Sequence, residues 1–243
     1  MNFMSKLKKL IFIIFKWVII ISLSAYVGLI VFLLSKENNM MYWGQSGKAL
    51  INHEIPSGFK EDFVQTSLGK LEIYKKEGDN NLPIILYFGG NGEHANLSLD
   101  WLDKEFKDNT VYSFNYPNYG KSEGSVGQKN IETMFLEASR KLLNDKPVIL
   151  VGRSLGTGFS TYVASNITNV KGLILITPYT KIVDVACERF VYIPSFICKT
   201  FMENQMDNTN FIKESKIPVL IVYAKGDTTI SNENTQELID LNS

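Results

Sequence analysis

Ser154 sits between two glycines in Gly152-Arg153-Ser154-Leu155-Gly156. A serine hydroxyl becomes a useful nucleophile when the chain holds it clear of its neighbours and supplies donors for the charge it creates. The run before it, Pro147-Val148-Ile149-Leu150-Val151, is short, apolar and β-branched, the pattern of a buried strand. The run after it, Thr157 to Asn166, fits a helix. Strand, G-x-S-x-G and helix in that order are the nucleophile elbow, a tight turn that presents the serine above a sheet. Glycine at 152 and 156 relieves the crowding of such a turn. The helix N-terminus behind Ser154 favours developing negative charge. The plainer alternative is a serine in a glycine-rich turn, and the flanking strand and helix weigh against it.

Two further stretches fit the same chemistry. Gly89-Gly90-Asn91-Gly92 follows the apolar run Pro83 to Phe88 and has no side chain at 89, 90 or 92 to keep a substrate from the backbone. An oxyanion hole would draw one N–H from Leu155, the residue after the nucleophile, and another from about Gly90. A glycine turn used only for topology is the competing reading. Asp227 follows the apolar run Pro218 to Tyr223 and Gly226. In G-x-S-x-G hydrolases the order along the chain is serine, acid, histidine. Asp227 is therefore the candidate carboxylate that would orient a histidine. The chain has two histidines, His53 and His94, and both precede Ser154.

These residues need a frame to hold them. Phe63 to Thr66 and Leu71 to Tyr74 read as a hairpin around Ser67-Leu68-Gly69-Lys70. Pro83 to Phe88, Thr110 to Tyr116, the elbow strand, Gly172 to Thr177 and Pro218 to Tyr223 read as buried strands. Helices are expected over His94 to Lys104, Gln128 to Leu143, Thr157 to Asn166 and Asn232 to Leu241. Apolar strands alternating with helices predict an α/β fold, a mostly parallel sheet with helices on both faces. Ligands then bind at the carboxyl ends of the strands, where the glycine- and charge-bearing turns fall. Tyr179 to Phe211 is mostly helical or irregular, with Pro194 as a break.

Lysine plus arginine and aspartate plus glutamate both number 25, so the balance gives no reason to expect a nucleic-acid partner. Cys187 and Cys198 make no metal pattern with the distant histidines. They pair if this region meets an oxidising compartment, and two free buried thiols fit the spacing equally well. Trp17 to Leu34 carries no charge and is nearly all apolar, long enough for the roughly 18 residues of a membrane-span candidate. Leu10 to Phe15 extends it across Lys16, whose side chain can snorkel to the headgroups. Lys6, Lys8 and Lys9 precede the span, which puts the N-terminus in the cytoplasm and the rest on the other side. A cleaved signal peptide or a buried core helix are the alternatives. The apolar run exceeds a typical signal h-region of about 7–15 residues, and no clear A-x-A site follows. The expected organisation is a basic tail over 1–9, an anchor over 10–34, a juxtamembrane stalk over 35–61 and a catalytic domain over 62–243. Tyr42 and Trp43 either meet the membrane interface or pack on that domain. His53 reads as a solvated or packing residue.

Four stretches together resemble the α/β-hydrolase superfamily, and within it the small membrane-anchored serine hydrolases. They are Tyr87-Phe88-Gly89-Gly90-Asn91-Gly92, Asn115-Tyr116-Pro117-Asn118-Tyr119-Gly120-Lys121-Ser122-Glu123-Gly124, Val151-Gly152-Arg153-Ser154-Leu155-Gly156 and Tyr223-Ala224-Lys225-Gly226-Asp227. The second resembles the family's Y-R-G-Y-G-x-S-x-G stretch, with Pro117-Asn118 in place of Arg-Gly. The resemblance implies Ser154 as nucleophile, Asp227 as acid, Gly90 and Leu155 as oxyanion donors, and a short cap within about 179–211. It implies no metal or organic cofactor. The substrate would be a small acyl compound or a lipid.

The chain departs from the resemblance at the base. The family's histidine follows one further strand, a few tens of residues after the acid, whereas this sequence runs only to Ser243. The expectation is a fold lacking its last strand and helix, with a raw sheet edge and exposed apolar surface. His94, just past the oxyanion loop, would approach Ser154 from the wrong side to be oriented by Asp227. The leading expectation is a membrane-anchored serine hydrolase of ester, thioester or amide bonds, acting through an acyl-serine and impaired by the missing base. A non-catalytic, membrane-tethered binding or scaffold protein on the same fold is the alternative, and a peptidase of that fold comes third.

Overall fold

The computed structural model describes residues 3–46, 54–190, 192–227, 229–230 and 232–242. His53 lies outside them. Seven strands form one sheet: β1 (Phe59–Thr66), β2 (Gly69–Lys76), β3 (Ile84–Phe88), β4 (Val111–Phe114), β5 (Val148–Arg153), β6 (Val170–Ile176) and β7 (Val219–Val222). Their order is β1-β2-β4-β3-β5-β6-β7. The hairpin β1–β2 is antiparallel and meets β4 antiparallel, while β4, β3, β5, β6 and β7 are parallel. Every residue of β3 and β4 is buried, as a sheet covered on both faces requires.

The helices are α1 (Phe3–Ser35), α2 (Glu37–Met41), α3 (Leu99–Glu105), α4 (Gln128–Leu143), α5 (Gly156–Asn166), α6 (Ile182–Arg189), α7 (Ser195–Phe201), α8 (Thr209–Glu214) and α9 (Asn232–Leu241). On one side of the sheet Phe88, Phe114, Tyr116, Phe135 and Phe159 stack edge and tilted at 5.2–5.7 Å, joining β3, β4, α4 and α5. On the other side Tyr87 meets Trp101 of α3 edge-on at 5.2 Å. The helix expected over His94 to Lys104 divides into a 3-10 turn, Ala95–Ser98, followed by α3. The expected strands and the helices over 128–143 and 232–241 lie where the periodicity put them.

The start of the polar stretch after α1, Glu37 to Tyr42, packs on the domain. Glu37, Met41 and Tyr42 are buried. The Glu37 carboxylate accepts the backbone N–H groups of Glu203 and Asn204, each at 2.9 Å, and the Asn204 side-chain amide as well. Tyr42 Oη donates to Asn204 Oδ1 at 2.7 Å. Tyr42 thus packs on the domain, the second of the two placements open from sequence. A buried carboxylate is tolerated because each contact is a charge-assisted hydrogen bond. β7 is the last strand in the sheet order, and its Leu220 and Val222, with Tyr223 beyond, are exposed.

Candidate active site

The parallel strands β3, β5 and β6 bring three loops to one end of the sheet. β5 runs directly into the elbow, where Ser154 has φ +48°. A non-glycine residue in this region costs about 1–3 kcal/mol, so surrounding bonds must hold it there. The Ser154 N–H donates to the Ile176 carbonyl at 2.8 Å, tying the turn to β6. Its own carbonyl accepts the Thr157 N–H at 2.9 Å and the Thr157 hydroxyl at 2.7 Å, tying it to the first turn of α5.

Both flanking glycines are sterically required. A Cβ on Gly156 would lie 2.1 Å from the Phe88 carbonyl oxygen, and one on Gly152 would lie 2.7 Å from the Gly156 carbonyl oxygen. The α5 helix therefore starts against the end of β3 at a distance only a bare backbone allows. That approach also brings the Gly89–Gly92 loop alongside the serine. A Cβ on Gly90 would be 3.6 Å from the Ser154 Cβ. The Leu155 N–H belongs to the residue capping α5, ahead of the first intrahelical bond, where the helix dipole is positive.

Gly90 differs from its expected role. Its N–H donates to Glu93 Oε2 at 2.8 Å, so in this conformation the donor is engaged within its own loop. Glu93 also accepts the Tyr87 hydroxyl at 2.7 Å, the Ser98 hydroxyl, and a 3.5 Å contact from the exposed guanidinium of Arg153. Burial, and next the Glu93 charge, push the Tyr87 hydroxyl well above the ordinary tyrosine range, so Tyr87 stays a donor. Sequence reasoning passed over Glu93. Its signal is a lone carboxylate closing Gly89-Gly90-Asn91-Gly92-Glu93, three residues past the glycine whose amide it accepts.

Asp227 lies beyond the end of β7. Its Oδ1 accepts the N–H groups of Thr229 and Ile230, at 2.7 and 3.0 Å, so the carboxylate organises the loop into α9. Thr229 and Ile230 then reach the wall of a cleft of about 730 Å³, which Gly90, Ser154 and Leu155 also line. Further walls come from Met40 and Trp43, a few residues past α1, from Ile182 and Val185 of α6, and from Phe190 just after it. The cap is α6 and α7, linked by a Cys187–Cys198 disulfide with Cα atoms 5.8 Å apart. Tyr179, fully buried at the cleft, donates to the Leu155 carbonyl at 3.3 Å, and burial pushes its hydroxyl pKa up.

His94 is not at the serine. It is 2 % exposed, its ring packs on Tyr119 at 5.4 Å, and Nε2 lies 3.1 Å from the Gly44 carbonyl. A carbonyl only accepts, so Nε2 carries the proton and His94 acts as a tether. The Gly44 N–H donates in turn to Tyr119 Oη at 3.1 Å. This pair fastens the 43–46 turn to the domain. Among the described residues no group of three or more histidine, cysteine, aspartate or glutamate side chains is placed to hold a metal ion.

A parallel sheet with an antiparallel hairpin edge, a strand–turn–helix around Ser154 at its centre, a glycine loop after β3 and a carboxylate after β7 define the α/β-hydrolase fold. The chain has the α/β-hydrolase fold: the family's sequence model, for the alpha/beta hydrolase fold, matches residues 83–197. The lysophosphatidylserine lipase ABHD12 of Danio rerio is 26% identical over 211 residues, covering 78% of this chain and 54% of that protein. Protein ABHD12B of Homo sapiens is 28% identical over 211 residues, covering 78% of this chain and 57% of that protein. The chain thus spans about half the length of the curated relatives it matches. Among solved structures, an alpha-beta hydrolase from Vibrio vulnificus superposes with TM-score 0.65 at 18% identity, covering 84% of this chain and 80% of that one. The Pyrococcus furiosus esterase Pf2001 gives 0.57 at 19% identity, covering 76% of each chain. These structural likenesses speak for the fold.

Proposed function

We propose that the chain is a membrane-tethered serine hydrolase acting on acyl esters, with lipid esters as the preferred class. One observation carries this: Ser154 is held at positive φ beside the Leu155 N–H at the start of α5, facing a cleft walled largely by apolar side chains. In this reading Ser154 Oγ adds to the ester carbonyl carbon and its proton passes to water in the cleft, because the described histidine, His94, is held on the Gly44 carbonyl. The carbonyl oxygen takes the electron pair and meets the Leu155 N–H. Collapse of the adduct breaks the carbon–oxygen bond to the alcohol, which leaves with a proton, and water then releases the acid from the acyl-serine. Each oxyanion donor is worth about 2.7–4 kcal/mol of barrier. Asp227 has the acid's place in the chain order. The apolar helix α1, of 33 residues and mean hydropathy 2.6 over its best window, supports tethering to a bilayer, with the hydrolase domain on the non-cytoplasmic side. The names of the lipase relatives support a lipid ester.

A second reading, a non-catalytic binding protein on this fold, is favoured by the position of His94, which is spent on Gly44. A fluorophosphonate probe separates the two. Covalent labelling of the full chain that disappears in Ser154→Ala is the expected result. Absence of labelling in a folded chain that still retains lipid would overturn the hydrolase in favour of the binding protein.

A further inference from the structure

The depth of the anchor and the position of the cap are linked by one contact. Tyr26 Oη of α1 donates to the Tyr192 carbonyl at 2.9 Å. Tyr192 lies in the turn between α6 and α7. Tyr26 is also the tenth residue of the uncharged stretch that starts at Trp17. At about 1.5 Å rise per residue, Tyr26 is ~15 Å along the helix from Lys16 and ~12 Å short of Leu34. The hydrocarbon core is about 30 Å thick. Lys16 cannot sit at its centre without a cost of roughly 2.5–3.5 kcal/mol, so it stays at or snorkels to the cytoplasmic boundary. Tyr26 then lies at or beyond the middle of the hydrocarbon, and the residues it touches are drawn in with it.

The cap is built for that position. Tyr192, Phe196 and Phe201 are 73%, 72% and 64% exposed, all on the short α6–α7 unit. Cys187–Cys198 holds α6 and α7 together. Lys199, the lysine of α7, is drawn 2.6 Å from Asp184 of α6. Large aromatic side chains on a surface continuous with a membrane helix fit the headgroup–acyl boundary. The same α6 walls the cleft through Ile182 and Val185, with Phe190 just after it, and the facing wall, Met40 and Trp43, begins a few residues past the end of α1.

We infer that the cap face formed by Tyr192, Phe196 and Phe201 is embedded in the outer leaflet of the bilayer that holds α1, and that acyl chains enter the cleft from that leaflet. The embedding rests on α1 spanning the membrane. The entry route rests also on the hydrolase reading, and the two are tested separately.

The full chain is reconstituted in phosphatidylcholine vesicles carrying either ordinary or brominated acyl chains. Phe196→Trp is compared with Lys104→Trp, at an exposed position on α3. The emission added by Phe196→Trp is expected to be blue-shifted and largely lost in brominated lipid, while that of Lys104→Trp responds to aqueous acrylamide instead. Phe201→Trp gives an independent reading should the first variant fold poorly. Added emission at both cap positions that ignores brominated lipid and is quenched by acrylamide would overturn the embedding, as would failure of the chain to float with the vesicles. For the route, a Phe196→Ser, Phe201→Ser double variant should lose several-fold in rate on vesicle-borne esters and none on a water-soluble p-nitrophenyl ester. Equal loss on both substrates would overturn the route. Absence of any hydrolysis by the parent chain, with lipid quenching intact, would instead remove the hydrolase reading and the route with it, while the embedding stands.

Discussion

The Glu93 carboxylate accepts the Gly90 N–H at 2.8 Å, so the loop beside Ser154 is closed by its own acid. The same carboxylate accepts hydroxyls from Tyr87 and Ser98. Glu93→Ala removes the acceptor from three donors in a largely buried site. Each buried donor left unsatisfied costs about 1–3 kcal/mol. We expect Glu93→Ala to lower unfolding stability by at least about 2 kcal/mol in urea titration. The exposed Arg153 partner adds little, because its ion pair is screened by solvent. Arg153→Ala should therefore leave the urea midpoint nearly unchanged.

The elbow makes a steric prediction. A methyl on Gly156 meets the backbone of Phe88 and Gly89, which cannot rotate out of the way as a side chain can. Overpacking of this kind costs about 1–3 kcal/mol and displaces the backbone. Gly156→Ala should lower the thermal midpoint and also slow fluorophosphonate labelling of Ser154. The Gly28→Ala change on α1, where a Cβ meets nothing within 4 Å, should do neither.

The segment after α1 and the domain are joined by Glu37 and Asn204, both buried. Asn204 connects Glu37, Tyr42 and the Gln128 N–H at the start of α4. Asn204→Ala removes the acceptor of the Tyr42 hydroxyl and the Gln128 N–H and one donor to the buried Glu37 carboxylate. A lost hydrogen bond to a charged group costs about 1.5–3 kcal/mol. The expected readout is faster protease cleavage between α1 and β1, with a lower denaturation midpoint.

Glu132 gives a pH signature. It faces a groove between α4 and α5, and burial raises its carboxyl pKa above the ordinary value, against the lowering effect of the Gln128 amide at 2.6 Å. A raised folded pKa means that its protonated form is favoured in the fold. That contribution is present in full below the unfolded pKa and is lost as pH rises through the folded pKa. Glu132→Gln keeps the shape and removes the charge. The variant should be more stable than the parent at pH 7, and the difference should vanish as pH falls below about 4.

The order of strands and helices, the apolar N-terminal helix and the strand–turn–helix around Ser154 were legible in the residues, because each is a local pattern. A β-branched run, a glycine at a fixed offset or an eighteen-residue uncharged stretch carries its meaning within a few turns of chain. The strand read over Pro147 to Val151 and the helix read over Thr157 to Asn166 needed no distant partner, and they stand at Val148–Arg153 and Gly156–Asn166. Hydrogen bonds across long separations left no such mark. Glu37 and Asn204 stand 167 residues apart, and nothing near either one announces the other. The polar stretch after the anchor therefore read as a stalk, although tertiary packing makes it a wall of the cleft. The Cys187–Cys198 pairing was equally open until α6 and α7 were seen side by side. His94 and Gly90 follow the same logic. Residue type announced their donors, but only the fold decides which acceptor lies within reach, and it gives one to Gly44 and the other to Glu93.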